Sequence, residues 1–205
     1  MTAYDIARAI MSNRWRRSFV LPCYTPRGWW ECDVFELTAA GYFREYEIKL
    51  SVADFRADAG KKWFGTYRYE NGQRVEMPGR KKHDLLAEGS PKGPTRFWFV
   101  TPSGLLAPEQ VPEWAGLMEA AHRTDRLGAQ WISLAEVRPA PQLHREKPGD
   151  DRVRHARGVC YWRMHELMNE LHCLRRARTE EALPMIGGGG GVTHDPVRHP
   201  PLPPP

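Results

Sequence analysis

The chain has 205 residues, with 30 Lys and Arg against 25 Asp and Glu and a formal net charge of +5. That length suits one core of about 140–150 residues with appended pieces, and the basic balance suits a polyanionic partner better than a polycationic one. No apolar run approaches the ~20 residues that cross a bilayer, and no signal-peptide pattern opens the chain, so a soluble intracellular protein is expected. The four cysteines, Cys23, Cys32, Cys160 and Cys173, have no CxxC spacing; this argues against a disulfide framework or zinc ribbon and for free thiols.

Residues 2–13 predict a helix. Thr2 is placed to cap it, and Ile6, Ala7, Ile10 and Met11 form an apolar stripe that should pack on a sheet. Asp5 suits the positive end of the helix dipole. Residues 18–24, SFVLPCY, read as a strand, and Pro22 places that strand at an edge or a bulge.

The next stretch, 29–58, carries the most chemistry. Cys32, Val34 and Glu36 alternate with Glu31, Asp33, Phe35 and Leu37; small residues at 38–41 then break the pattern, and 42–50 resumes it. A β-hairpin is expected. Period-two alternation sends Glu47 and Lys49 to one face and Ile48 to the other, and antiparallel pairing can lay Asp33 beside Glu47. Two carboxylates, the Ile48 carbonyl oxygen and waters are hard ligands of the kind Mg²⁺ takes, and a neighbouring ammonium could hold the attacking water. The same residues also fit a solvated strand face with a cross-strand salt bridge. Ser51 is placed to cap a following helix, which should fail near Gly60; Asp54 and Asp58 share one of its faces.

Read as Asp33, then Glu47-Ile48-Lys49-Leu50-Ser51-Val52-Ala53-Asp54-Phe55-Arg56-Ala57-Asp58, the stretch resembles the PD-(D/E)xK nuclease superfamily. More closely it is similar to the MmcB-like DNA-repair and phage branch, which carries a phrase like EIKxSxxDFxxD. The likeness continues through Lys82-His83, residues 96–102, Gly104-Leu105-Leu106 and 111–117, and spans roughly residues 4–147. Cys32 stands where the superfamily's name has proline, which is not a ligand. The resemblance implies an α/β fold with a restriction-endonuclease-like core, a mixed sheet flanked by helices. It also implies an Mg²⁺- or Mn²⁺-dependent deoxyribonuclease that leaves 5′-phosphates, in the cytoplasm of a bacterium or of a phage-infected host. Asp33, Glu47 and Lys49 would be catalytic, with the metal held by Asp33, Glu47 and the Ile48 carbonyl. An inactive DNA-binding accessory with the same fold is the alternative.

Residues 61–82 look like an insertion into that pattern. Asn71-Gly72 lies between two alternating runs, a strong hairpin signal. From 55 to 94 there are nine Lys and Arg against five Asp and Glu, with Trp63, Phe64, Tyr67 and Tyr69 interleaved. Lys61, Lys62, Arg80, Lys81, Lys82 and His83 are therefore expected to meet nucleic acid, although a flap whose aromatics shield its own base would look alike. Residues 96–101 read as a central strand, 116–121 as another, and 130–137 as a strand or the end of a helix.

Beyond Pro148 the composition changes. Residues 150–178 have helical spacing, and between Arg152 and Arg178 there are seven Arg and two Glu. Such a helix could clamp DNA, bind a partner protein or cap the sheet. Its Cys160, His165, His172 and Cys173 fit no zinc spacing. The Gly- and Pro-rich residues 185–205 are too poor in apolar groups to fold and are expected to be disordered. DNA is the expected partner, with a second copy of the chain as a further candidate and no membrane.

Overall fold

A computed structural model describes residues 1–61, 67–76 and 79–182. Contacts divide the chain into two units, Met1–Tyr161 and Trp162–Pro205. The first holds a six-stranded mixed sheet in the order β1-β2-β3-β6-β7-β8, flanked by helices, which is an α/β fold.

Helix α1 (Ala3–Arg14) opens with a capping box: Thr2 and Asp5 satisfy one another's free backbone N–H groups. Ile6 and Ile10 face the sheet and are fully buried. Strand β1 (Ser18–Tyr24) is an edge strand, paired antiparallel with β2 (Cys32–Thr38), which leaves Pro22 where no second neighbour needs its missing N–H. A turn at 38–41 then leads into β3 (Phe43–Ile48), antiparallel to β2. In that turn Gly41 adopts φ +82, and its N–H donates to the Thr38 carbonyl at 2.8 Å.

The chain leaves β3 through α2 (Val52–Asp58), the two-stranded ribbon β4 (Tyr67–Glu70) and β5 (Gln73–Glu76), and α3 (Lys82–Ala87). It returns as β6 (Arg96–Pro102), parallel to β3. A loop with one 3₁₀ turn at Pro108–Gln110 leads to β7 (Gly116–Thr124), parallel to β6, and β8 (Gln130–Arg138) closes the sheet antiparallel to β7. The open reading at 130–137 thus resolves as strand. Long helix α4 (Asp150–Ala182) ends the described chain.

The two sheet faces bury different clusters. Val34, Tyr46, Ile48, Trp98, Val100 and Met118 pack under α1. Phe35, Leu37, Phe43, Phe97, Phe99 and Leu117 meet Leu85 and Leu86 of α3, with Val52 and Phe55 of α2 alongside. Ala156, fully buried, and Val153, Val159 and Cys160 join this second cluster, so the first turns of α4 pack into the core. Cys32 departs from the expected alternation: it sits in the cluster of Phe35 and Leu37, not with Val34. No helix among the described residues is long and apolar enough to cross a membrane. Lys62, Trp63, Phe64 and residues 185–205 lie outside the described residues, as do the side chains of Tyr67 and Tyr69.

Candidate active site

Strand β3 sends Glu45 and Glu47 to the face covered by α2 and α3, while Tyr46 and Ile48 pack under α1. The register Val34 opposite Tyr46 extends by one step to Asp33 opposite Glu47. Asp33 is anchored there, its Oδ2 accepting the Ile48 N–H at 2.6 Å. Lys49 donates to Glu47 Oε1 at 2.9 Å, so the two strands bring together the three groups that the sequence singled out.

Three groups from the crossover join them. Asp58, at the end of α2 and 1% exposed, takes Lys49 Nζ on Oδ1 at 2.8 Å and His83 Nε2 on Oδ2 at 2.7 Å. Because a carboxylate only accepts, that ring nitrogen carries the proton. Lys61 bridges Glu47 Oε1 and Asp58 Oδ1, 2.7 Å from each, with 46% of its side chain exposed. Lys82 is completely buried: its ammonium donates to Glu47 Oε2 at 2.8 Å and lies 2.6 Å from Glu45 Oε1, off the hydrogen-bond direction. The backbone N–H of Lys82 donates to the Lys61 carbonyl at 3.2 Å, so the ends of the inserted segment are clamped together and both deliver a cation to Glu47.

Glu45 is held from behind by Trp29, whose indole N–H donates to Oε2 at 2.7 Å. That ring lies against Gly93, where a β-carbon would come within 2.6 Å of it. Trp29 therefore needs a glycine at this position to reach its carboxylate.

The cluster sets four carboxylates, Asp33, Glu45, Glu47 and Asp58, against the three ammonium groups of Lys49, Lys61 and Lys82. Burial pushes the Asp33 carboxyl up, as does neighbouring Glu47, against the Ile48 hydrogen bond. Burial also raises Glu45, outweighing Lys82. Glu47 would follow, but Lys82, Lys49 and Lys61 overcome burial and hold it below the usual carboxylate range. Asp58 is lowered further, burial yielding to hydrogen bonds from His83, Lys49 and Lys61. Lys61 and Lys82 are raised despite burial, because Glu47 faces both, with Asp58 beside Lys61 and Glu45 beside Lys82.

The basic residues expected to meet nucleic acid therefore divide. Lys82 is removed from that role by burial between two carboxylates, which uses its charge inside the protein. His83 is half-buried against Trp114 and Phe99 and is bonded to Asp58. Lys61 lies at the rim of the acidic cluster, Arg80 is exposed and paired with Glu88, and Lys81 is exposed. Asp54, half exposed, comes no closer to Lys49 than 3.8 Å. One member was legible but passed over, Glu45, which lies two residues before Glu47 on the same strand face; Asp58, singled out with Asp54 on one face of the helix, does join the cluster.

The donors suit a hard cation. The Lys61 ammonium already occupies a seat between two carboxylate oxygens, and among the described residues the Asp33 Oδ1 accepts no hydrogen bond. Against this, no three of His, Cys, Asp and Glu among the described residues converge as a ready-made metal cage. Lysines, not further ligands, fill the space around Glu47.

No family model matches the sequence, and no curated protein does. One solved structure is similar, a protein of unknown function, SPO1766, from Silicibacter pomeroyi. It is 19% identical, the match covers 91% of this chain and 98% of that one, and the TM-score is 0.47.

Proposed function

We propose that this protein is a divalent-cation-dependent DNA phosphodiesterase with a restriction-endonuclease-like core, acting in repair, recombination or phage DNA processing. The observation that carries the reading is the meeting of Asp33, Glu47 and Lys49 where β2 pairs with β3. Asp33 and Glu47, with the Ile48 carbonyl oxygen, would hold Mg²⁺ or Mn²⁺. A bound cation of this kind acidifies water and stabilises charge on phosphorus. The protein's own part is positional. Ile48 N–H fixes the Asp33 carboxylate, and Lys82 fixes the far oxygen of Glu47. Asp58 and Glu47 hold the Lys49 ammonium between them, in place to orient a water or to neutralise an oxyanion. Lys61, the most exposed of the three lysines, sits on the same Glu47 oxygen as Lys49 and must leave its seat when a cation takes those oxygens.

One observation favours the alternative, a DNA-binding accessory without turnover: both Glu47 oxygens already have lysine partners, so the cluster is largely compensated as it stands. The two readings part on a cleavage panel of linear, nicked, branched and single-stranded DNA with Mg²⁺ or Mn²⁺. The enzyme cuts at least one of these, and Glu47→Gln and Lys49→Ala abolish cutting while circular dichroism stays native. Cutting that survives in both variants ends the catalytic assignment; DNA binding with no cutting of any substrate selects the accessory.

A further inference from the structure

At the opposite end of β3, and on the opposite face of the sheet, lies a 240 Å³ cleft lined by Tyr42, Arg44, Thr95, Arg96 and Gln142. Arg44 and Arg96 are direct partners in the parallel pairing of β3 with β6, so two guanidinium groups start from neighbouring backbone positions on one face. Like charges at that spacing repel unless something compensates them. The compensation visible nearby is the single charge of Glu36, 3.8 Å from Arg44 and held by the hydroxyls of Ser18 and Tyr46, each at 2.5 Å, which leaves Arg96 without a carboxylate among the described residues. Arg96 spends Nη1 on the Ala140 carbonyl at 2.5 Å, which fixes the side chain without neutralising it. A third cation, Lys147, places Nζ 5.1 Å from the centre of the Tyr42 ring. Arg44 also lies 6.0 Å over the Trp98 ring, a contact that orients a guanidinium but does not cancel its charge.

We propose that this cleft is an anion site for a phosphate group, read by the paired guanidinium forks of Arg44 and Arg96. Guanidinium is suited to phosphate because its parallel N–H groups match two oxygens at once. Thr95 is not a competing donor, since its hydroxyl is committed to the Phe43 carbonyl at 2.7 Å. Gln142 donates its amide to the His144 carbonyl at 3.1 Å, which holds it in one orientation. The site does not depend on the nuclease reading: Arg44 lies three residues from Glu47, about 10 Å along the strand, and faces the other way. The phosphate could belong to a free nucleotide or to a nucleic-acid strand, and the chemistry of recognition is the same.

The test is calorimetric titration of the full chain with inorganic phosphate, a 5′-mononucleotide and a 3′,5′-linked dinucleotide without a terminal phosphate, at constant ionic strength. Phosphate binds in the millimolar range, and Arg44→Met and Arg96→Met each weaken it about tenfold or more, the loss of one charge-assisted pair. Tighter binding of the mononucleotide marks a terminal phosphate as the ligand, and tighter binding of the dinucleotide marks a strand. Arg44→Met keeps the test sound should Arg96→Met disturb the fold, because Arg44 braces no backbone carbonyl among the described residues. Absence of phosphate binding in the wild type, or affinity unchanged in a folded Arg44→Met, overturns the assignment.

Discussion

Replacing Lys82 with methionine should remove the one cation that compensates Glu45, and the cost can be worked from the structure. Lys82 and Glu45 are both completely buried, and without Lys82 no ammonium among the described residues faces Glu45, which keeps the Trp29 N–H, whereas Glu47 retains Lys49 and Lys61. Breaking a buried pair from one side costs about 3–5 kcal/mol. A carboxyl can limit that by staying protonated. With an unfolded value of 4.5, holding a proton at pH 7 costs about 3.4 kcal/mol, and about 0.7 at pH 5. The variant should therefore lose about 3 kcal/mol at pH 7, equivalent to roughly 6–12 °C in Tm for a chain of this size. The sign follows from linkage. Folded Glu45, its carboxyl raised, binds a proton that the unfolded chain releases above pH 4.5, so the penalty grows with rising pH and shrinks on acidification. Urea unfolding at pH 5 and pH 7, with EDTA present, measures both effects, and Glu45→Gln in the Lys82→Met background should remove the pH dependence. A loss under about 1 kcal/mol at pH 7, or one that deepens towards pH 5, would refute the idea that this lysine compensates buried charge.

Lys61→Ala should tighten Mn²⁺ binding about fivefold by electron paramagnetic titration, because a half-exposed ion pair is worth about 1 kcal/mol and its ammonium shares the Glu47 and Asp58 oxygens. Weaker Mn²⁺ binding would mean that the ammonium does not compete for those oxygens. Gly116→Ala should cost about 1–3 kcal/mol and alter near-ultraviolet dichroism, since its β-carbon would lie 2.5 Å from Trp98 Cδ1 and 2.7 Å from the Ala140 nitrogen. Unchanged stability would show that the β7 backbone gives way easily there. Burial, aided by Arg27, lowers the His155 pKa, and Nδ1 lies 2.8 Å from the Tyr24 hydroxyl. The contact is thus fully present above 6.5 and lost as pH falls through the lowered value. Amide protection over residues 153–160, after division by the intrinsic exchange rate at each pH, should fall on that acidification, and Tyr24→Phe should abolish the effect; an identical pH dependence in Tyr24→Phe would remove His155 as its source.

The strands were legible wherever one period governed them. Alternation placed β2 and β3, Asn71-Gly72 placed the ribbon's turn, and Pro22 narrowed β1 to an edge or a bulge, of which it is the edge. Period alone could not decide β8, which is exposed over much of its length; it is a strand because β7 offers a ladder along Gly116–Thr124. The arginine-rich composition of α4 hid the fact that Val153 and Ala156 complete the core. Cys32 fell outside the rule together with its ladder partner Tyr24, at the point where the facing strand carries Cys23 at φ +46, and both join the second cluster.

At the site the limit has a different origin. Asp33, Glu47 and Lys49 were readable because strand geometry fixes which residues share a face, whereas the destination of a lysine 14 or 35 residues away is not set by any local period. Lys61 and Lys82 looked alike in sequence, two basic residues bracketing a hairpin, and were expected on one nucleic-acid-facing surface. What separates them is the fold's charge balance. Burying Glu45 and Glu47 on adjacent positions of one face requires a cation buried with them, and Lys82, the first residue of α3, is the one placed to supply it. Lys61 was left at the rim with its charge half in water, where a metal cation can compete with it for the carboxylate oxygens and a phosphate can compete with them for it. Counting the acids that a strand must bury, before assigning basic residues to a partner, would have predicted that at least one of these lysines belongs to the protein itself.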